Sequence, residues 1–120
     1  MEKMRVVGFA QTIKCILVSG EIECNEAVMI EEEFVRHHIP KDSWFLDFSR
    51  VAYFGVDTLE TIMKISEQVR IQGGMIDLIM NPDINRLCNR MTTVLNIPKE
   101  KMPEIHVDVN FMTSRFVRAV

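Results

Sequence analysis

The chain lacks long hydrophobic runs, basic blocks and closely paired cysteines, and each absence argues against one class of function. No apolar stretch approaches the roughly 18 residues that span a bilayer, so we expect no direct membrane insertion. The 120 residues include 14 basic and 17 acidic side chains, a net charge of −3. Because the basic residues are scattered, binding to nucleic acid has no electrostatic support. The segment 1–5 has no apolar core or cleavage site of a secretory signal. These absences together favour the cytoplasm.

Catalytic and metal-binding patterns are also missing. The three cysteines, Cys15, Cys24 and Cys88, are odd in number and include no CxxC spacing, which indicates reduced structural thiols. There is no phosphate loop, no Gly-x-Ser-x-Gly and no Ser/His/Asp order. His37 follows Glu33 by four residues and could share a helix face with it, but no further ligand is evident, and His106 stands alone. We therefore predict no enzyme activity, no metal site and no cofactor.

What the sequence does contain is a regular alternation of strand and helix patterns. Apolar residues make up 48% and charged residues 26%, as in an ordinary globular protein, and the length fits one domain spanning 1–120. The patterns predict strands at 4–10, 13–18, 43–48, 75–80 and 105–109, with helices at 25–37, from 57 to about 72, from 82 and at 110–119. This order predicts an α/β fold whose largely parallel sheet has a leading antiparallel hairpin.

Individual residues mark the expected boundaries. Ser19-Gly20 should break the second strand. Asn25 should cap the first helix, and Asp57 should cap the second in a capping box with Glu60. Asn81-Pro82 has the Asn cap and first-turn Pro of a third helix. The side chains that we expect to be buried are Phe45, Leu46, Phe48, Leu59, Ile62, Ile76, Leu78 and Leu87.

Residues 45–59 are the most informative segment. They read as an apolar strand, a short loop, the tight turn Gly55-Val56-Asp57-Thr58, and a helix. Four further motifs accompany this segment in order: Ser19-Gly20-Glu21-Ile22-Glu23, Gln72-Gly73-Gly74-Met75-Ile76-Asp77-Leu78, Asn81-Pro82-Asp83-Ile84 and Ile105-His106-Val107-Asp108. Together, over essentially the whole chain, they resemble the STAS family, the sulfate-transporter and anti-sigma-factor-antagonist domain. The resemblance implies a mixed, largely parallel sheet of four to five strands with about four helices.

The resemblance also implies a function and shows where this chain departs from it. In anti-sigma-factor antagonists of the family, an Asp-Ser-x-Gly turn is phosphorylated, and the added charge releases a serine-kinase partner. Here Val56, which has no hydroxyl, occupies the position of the phosphorylated Ser, and Gly55 occupies the position of the Asp before it. Asp57 is either a helix cap or a permanent negative charge at a helix N-terminus. Thr58 is either structural or a displaced acceptor.

These observations predict a bacterial, non-enzymatic regulatory domain that binds another protein. The expected partner is an anti-sigma-type serine kinase or other STAS proteins, in a partner-switching or stressosome-like system. Two alternatives are an accessory subunit of a membrane transport system and a small-ligand-binding α/β domain. Because α/β sheets present their binding surfaces at the carboxyl ends of their strands, the predicted partner-binding residues are Tyr53, Phe54, Gly55, Val56, Asp57 and Thr58.

Overall fold

The computed structural model describes residues 3–10 and 12–107, which form a five-stranded sheet and the helices that cover it. The elements in chain order are β1 (Met4–Ala10), β2 (Ile13–Ile22), α1 (Cys24–His37), β3 (Ser43–Phe54), α2 (Val56–Ile71), β4 (Ile76–Met80), α3 (Pro82–Val94), a 3₁₀ turn (Lys99–Lys101) and β5 (Glu104–Val107). The predicted final helix at 110–119 lies outside the described residues. None of the helices in the described ranges is long and apolar enough to cross a membrane.

The sheet follows the order of the sequence, β1-β2-β3-β4-β5. β1 and β2 pair antiparallel, and every later pair is parallel. The predicted α/β class, the antiparallel leading hairpin and the largely parallel sheet are therefore confirmed. Because β2, β3 and β4 are parallel, their carboxyl ends lie at the same end of the sheet, and α1, α2 and α3 all begin there.

Side-chain alternation along the strands divides the apolar residues into two layers. The main core joins one face of the sheet to the buried faces of the helices, and it contains Leu46, Phe48 and Leu78. A smaller cluster on the opposite face contains Cys15, Phe45 and Ile79. Of the residues predicted to be buried, seven are buried, whereas Leu87 is only partly buried at the margin of the core.

Two strands are longer than the sequence indicated. β2 continues through Ser19-Gly20 to Ile22, so the predicted break is wrong; Gly20 takes a φ of +80°, and the register with β3 shifts on either side of it. β3 continues to Phe54, so the predicted loop at 49–54 is also wrong. β4 pairs with β3 only as far as Phe48, and beyond that point β2 alone supplies the backbone partners, ending at Ile22 opposite Phe54. Residues 49–54 are thus one side of a two-stranded extension beyond the sheet.

Two of the three predicted helix caps are wrong. Glu23, not Asn25, is the N-cap of α1, and it forms a capping box in which Glu26 Oε1 accepts from the Glu23 amide at 2.8 Å. Gly55, not Asp57, is the N-cap of α2, so Asp57 is the second helical residue and caps nothing. In both cases the cap is the residue that directly follows the preceding strand and still has extended backbone angles. Asn81 caps α3 as predicted, accepting from the Ile84 amide at 2.8 Å.

The amino-terminal end of β3 is fixed by the only tryptophan of the chain. Trp44 is fully buried, and its indole Nε1 donates to Nδ1 of His38 at 3.0 Å. The His38 ring stacks on Phe34 with 4.6 Å between centroids, and its Nε2 lies 2.6 Å from Oε1 of Gln72. These contacts join the carboxyl ends of α1 and α2 to the start of β3.

Candidate functional site

The predicted partner-binding segment lies where β3 passes into α2, and the structure divides it into exposed and buried residues. Tyr53 is 52% exposed and Val56 is 44% exposed, and Asp57 also faces solvent. Gly55 between them is half-buried. We call these four residues, Tyr53, Gly55, Val56 and Asp57, the junction surface. Their role in binding remains a prediction.

Phe54 and Thr58 do not belong to this surface, because both are fully buried. The side chain of Phe54 lies in the core, where its ring packs edge-on with that of Phe48 at 5.9 Å between ring centroids. A partner cannot contact either side chain in this conformation. Thr58 Oγ1 has no hydrogen-bond partner among the described residues, and its burial leaves it inaccessible to a kinase. The sequence shows the apolar character of this segment but not which of its side chains turn inward.

The bonds of Asn81 position the strand that leads to the junction surface. Its amide Nδ2 donates to the backbone oxygen of Ser49 at 3.1 Å and to that of Val51 at 3.0 Å. The same side chain caps α3 through Oδ1. One residue therefore ties the beginning of the two-stranded extension to the start of the neighbouring helix. The cap formed by Asn81 is evident from the sequence, but the contacts of Asn81 with β3 are not.

A cysteine lies beside the junction surface. Cys24 is the first residue of α1 and is exposed, and its thiol forms a hydrogen bond with the Asp57 carboxylate. This bond and the charge of Asp57 raise the pKa of Cys24, which disfavours the reactive thiolate. No local pattern in the sequence indicates this contact. It arises because two successive strand–helix units start their helices at the same edge of the sheet.

The other two thiols are buried, and no described cysteine is in a disulfide. Burial raises the pKa of Cys88 to about 11. Burial and the nearby charge of Asp47 raise the pKa of Cys15 further. Asp47 Oδ1 accepts from the Ser49 amide at 3.0 Å, so this buried carboxylate shapes the backbone where β3 leaves the main sheet. The expectation of reduced structural thiols fits Cys15 and Cys88, whereas Cys24 is at the surface.

Two of the three histidines each lie beside a carboxylate. On α1, His37 Nε2 lies 3.3 Å from Glu33 Oε2, the shared helix face that the spacing suggested. The expectation that His106 stands alone is wrong: its Nε2 lies 2.9 Å from Asp77 Oδ1 on the adjacent strand. The sequence could not show this pair, because 29 residues separate its members.

Neither a protein-family model nor a curated protein matches the sequence of the chain. Solved structures do match its fold. The anti-sigma factor antagonist SpoIIAA in its unphosphorylated form superimposes with a TM-score of 0.64 at 11% identity, covering 98% of this chain and 99% of that one. A candidate anti-sigma factor antagonist from Thermotoga maritima gives 0.64 at 14% identity, covering 92% of each chain. The chain has the STAS fold.

The junction surface lies within the part of the chain that matches the STAS fold. The similarity extends over nearly the full length of both proteins, so the β3–α2 turn falls within the matched region. At this turn the chain presents Val56 and Asp57 on a helix start whose N-cap, Gly55, provides no side-chain hydrogen bond. At identities of 11% and 14% the likeness establishes the fold alone, and a binding role has to be argued from the residues themselves.

Proposed function

We propose that this protein is a non-enzymatic regulatory domain that binds another protein through the junction surface. The observation that carries the proposal is the exposed apolar pair Tyr53 and Val56 at the carboxyl edge of a parallel sheet. In open α/β sheets this edge is where ligands and partners bind. The proposal is supported by the STAS fold, since both structural neighbours are described as anti-sigma factor antagonists or candidates for that role.

The junction surface presents the apolar side chains of Tyr53 and Val56 on a well-packed part of the core. An apolar surface of this kind is typical of sites that bind another protein. Exposed aromatic and aliphatic side chains form energetically important contacts when a partner excludes water around them. Directly below, Phe54 is fully buried and packs edge-on against Phe48. The backbone that carries Tyr53 is also paired to Glu21 of β2. The contacting groups are therefore held in place before binding, which reduces the entropy lost on association.

The charge at this surface does not depend on phosphorylation of position 56. Val56 has no hydroxyl to accept phosphate, whereas Asp57 beside it carries a carboxylate at the N-terminus of α2, where negative charge is stabilised by the helix dipole. Binding would therefore not be switched by modification at this position. We infer a cytoplasmic bacterial signalling protein whose partner is an anti-sigma-type serine kinase or another STAS protein.

The experiment is an affinity titration of Val56→Asp against the partner identified by affinity purification and mass spectrometry. A carboxylate at position 56 would have to be desolvated in an apolar contact without a compensating bond, so we expect at least a tenfold loss of affinity, about 1.4 kcal/mol. Because Val56 is 44% exposed at the first position of a helix, the melting temperature should change little.

A matched control is Val94→Asp, the same substitution at an 82% exposed valine at the far end of α3. It should leave affinity unchanged. Unaltered binding by Val56→Asp with an unaltered melt would place the docking surface elsewhere. A collapsed melt would show instead that Val56 contributes to the core, and equal losses in the two variants would show a nonspecific effect of charge.

A further inference from the structure

We propose that Asp77, Glu104 and His106 form a binding site for a divalent transition-metal ion of the zinc class. Within residues 3–10 and 12–107, they are the group of three His, Cys, Asp or Glu side chains whose ligand atoms converge, all within 4.8 Å of one another. The site lies at the amino-terminal ends of β4 and β5. It is therefore at the opposite end of the sheet from the junction surface and does not depend on the function proposed above.

The strand pairing brings the three side chains onto one face. β4 and β5 are parallel, with Asp77 opposite Glu104 and Ile79 opposite His106. Glu104 and His106 are two residues apart and so project to the same side of the sheet. The shared side is that of Ile79, the face opposite the main core. Two hydrogen-bonded strands hold the ligands, so little backbone ordering has to accompany metal binding.

The distances require only a small side-chain adjustment. Ligand bonds to zinc of about 2.0–2.2 Å in a tetrahedron place ligand atoms roughly 3.4 Å apart. His106 Nε2 and Asp77 Oδ1 are already 2.9 Å apart. Glu104 is exposed on the terminal strand of the described sheet, and rotation about its side-chain bonds can close the remaining gap. On binding, His106 Nε2 gives up its hydrogen bond to Oδ1 and presents its lone pair to the metal, the neutral imidazole carries its hydrogen on Nδ1, and the metal lies between Nε2 and Oδ1.

The donor set defines the class of ion. One imidazole nitrogen and two carboxylate oxygens suit zinc, cobalt, manganese or ferrous iron, whereas calcium and magnesium prefer oxygen donors only. Three protein ligands leave one tetrahedral position for water. Bound there, the ion would join β5 to β4 through side chains in addition to backbone bonds. We therefore expect metal binding to stabilise the folded chain.

The test is calorimetric titration of the full-length protein with zinc chloride, with thermal melts and cobalt absorption spectra beside it. We expect one site. At a zinc concentration about a hundred times the dissociation constant, the melting temperature should rise by about 10 °C. His106→Ala should weaken binding at least tenfold. His37→Ala is the matched control, because its Glu33–His37 pair at 3.3 Å has no third ligand among the described residues, and it should bind zinc as the parent does.

Three results would overturn the proposal: no binding tighter than millimolar, equal losses in the two histidine variants, or cobalt spectra showing thiolate ligation from Cys24. If His106→Ala does not fold, Glu104→Gln decides, because Glu104 is exposed and its replacement preserves shape. Loss of zinc affinity in Glu104→Gln supports the site, and unchanged affinity rejects it.

Discussion

The side chain of Asn81 allows a sharp test of how the two-stranded extension is held. Asn81→Ala removes a helix cap, worth about 1 kcal/mol. It also removes two hydrogen bonds to the backbone oxygens of Ser49 and Val51, each worth about 1 kcal/mol net. We therefore expect the free energy of unfolding to fall by about 3 kcal/mol. For a chain of this length, that loss lowers the melting temperature by roughly 10–15 °C.

Asn81→Asp separates the two contributions. Asp caps a helix as well as Asn does, but its carboxylate cannot donate to the carbonyl oxygens that now lie 3.0 and 3.1 Å from Nδ2. The variant keeps the cap, loses both bonds and places negative charge against two acceptors. We expect it to be destabilised by at least about 2 kcal/mol, close to the alanine variant. A cap at an ordinary exposed position would tolerate this substitution.

Urea unfolding followed by Trp44 fluorescence provides the measurement, with Asn25→Ala as control. Asn25 is exposed and is not the cap of α1, so its replacement should change stability by less than about 0.5 kcal/mol. If Asn81→Asp unfolds within about 0.5 kcal/mol of the parent, the bonds to Ser49 and Val51 contribute nothing to stability. The side chain of Asn81 would then not hold the two-stranded extension in place.

Two further predictions concern reactivity and packing. Alkylation of the native chain at pH 8 should modify Cys24 and spare the two buried thiols. Asp57→Asn should speed the reaction, because removing the carboxylate lowers the raised pKa of Cys24 and increases its thiolate fraction. An unchanged rate would contradict the effect of Asp57 on the pKa of Cys24. Gly74→Ala should destabilise the fold by about 3 kcal/mol or more in urea unfolding, because the added Cβ would lie 2.0 Å from the backbone oxygen of Asp42. The control is Gly8→Ala, which should be neutral or stabilising because no described atom lies within 4 Å of the added Cβ. Equal effects of the two substitutions would show that the close approach of Gly74 to Asp42 does not limit stability.

The sequence was sufficient for the element order because that order depends on local signals. Apolar runs separated by turn residues predict the strands, and their alternation with helical patterns predicts a parallel sheet. Asn81-Pro82 predicts the start of α3 because the cap and the first-turn proline are adjacent in sequence. The burial of Leu46 and Leu78 follows from short apolar runs, the second of which is broken only by Asp77.

The features that the sequence could not show depend on contacts between residues that are far apart in the sequence. Residues 49–54 continue β3 because the extended β2 supplies their backbone partners, and no local pattern at 49–54 records that. Asn25 and Asp57 are good capping residues, but the chain leaves extended backbone at Glu23 and Gly55, so those residues become the caps. The contact between Asp77 and His106 depends on the register of two strands that are separated by a whole helix.

The position of Trp44 determines what the intrinsic fluorescence of this protein can report. Trp44 lies near the start of β3 and Tyr53 near its end, nine residues along one strand and so about 30 Å apart. The indole is fully enclosed by protein. Its emission therefore measures whether the chain is folded and should be silent when a partner covers the junction surface. A Tyr53→Trp variant in a Trp44→Phe chain would move the optical probe to the surface where binding is expected.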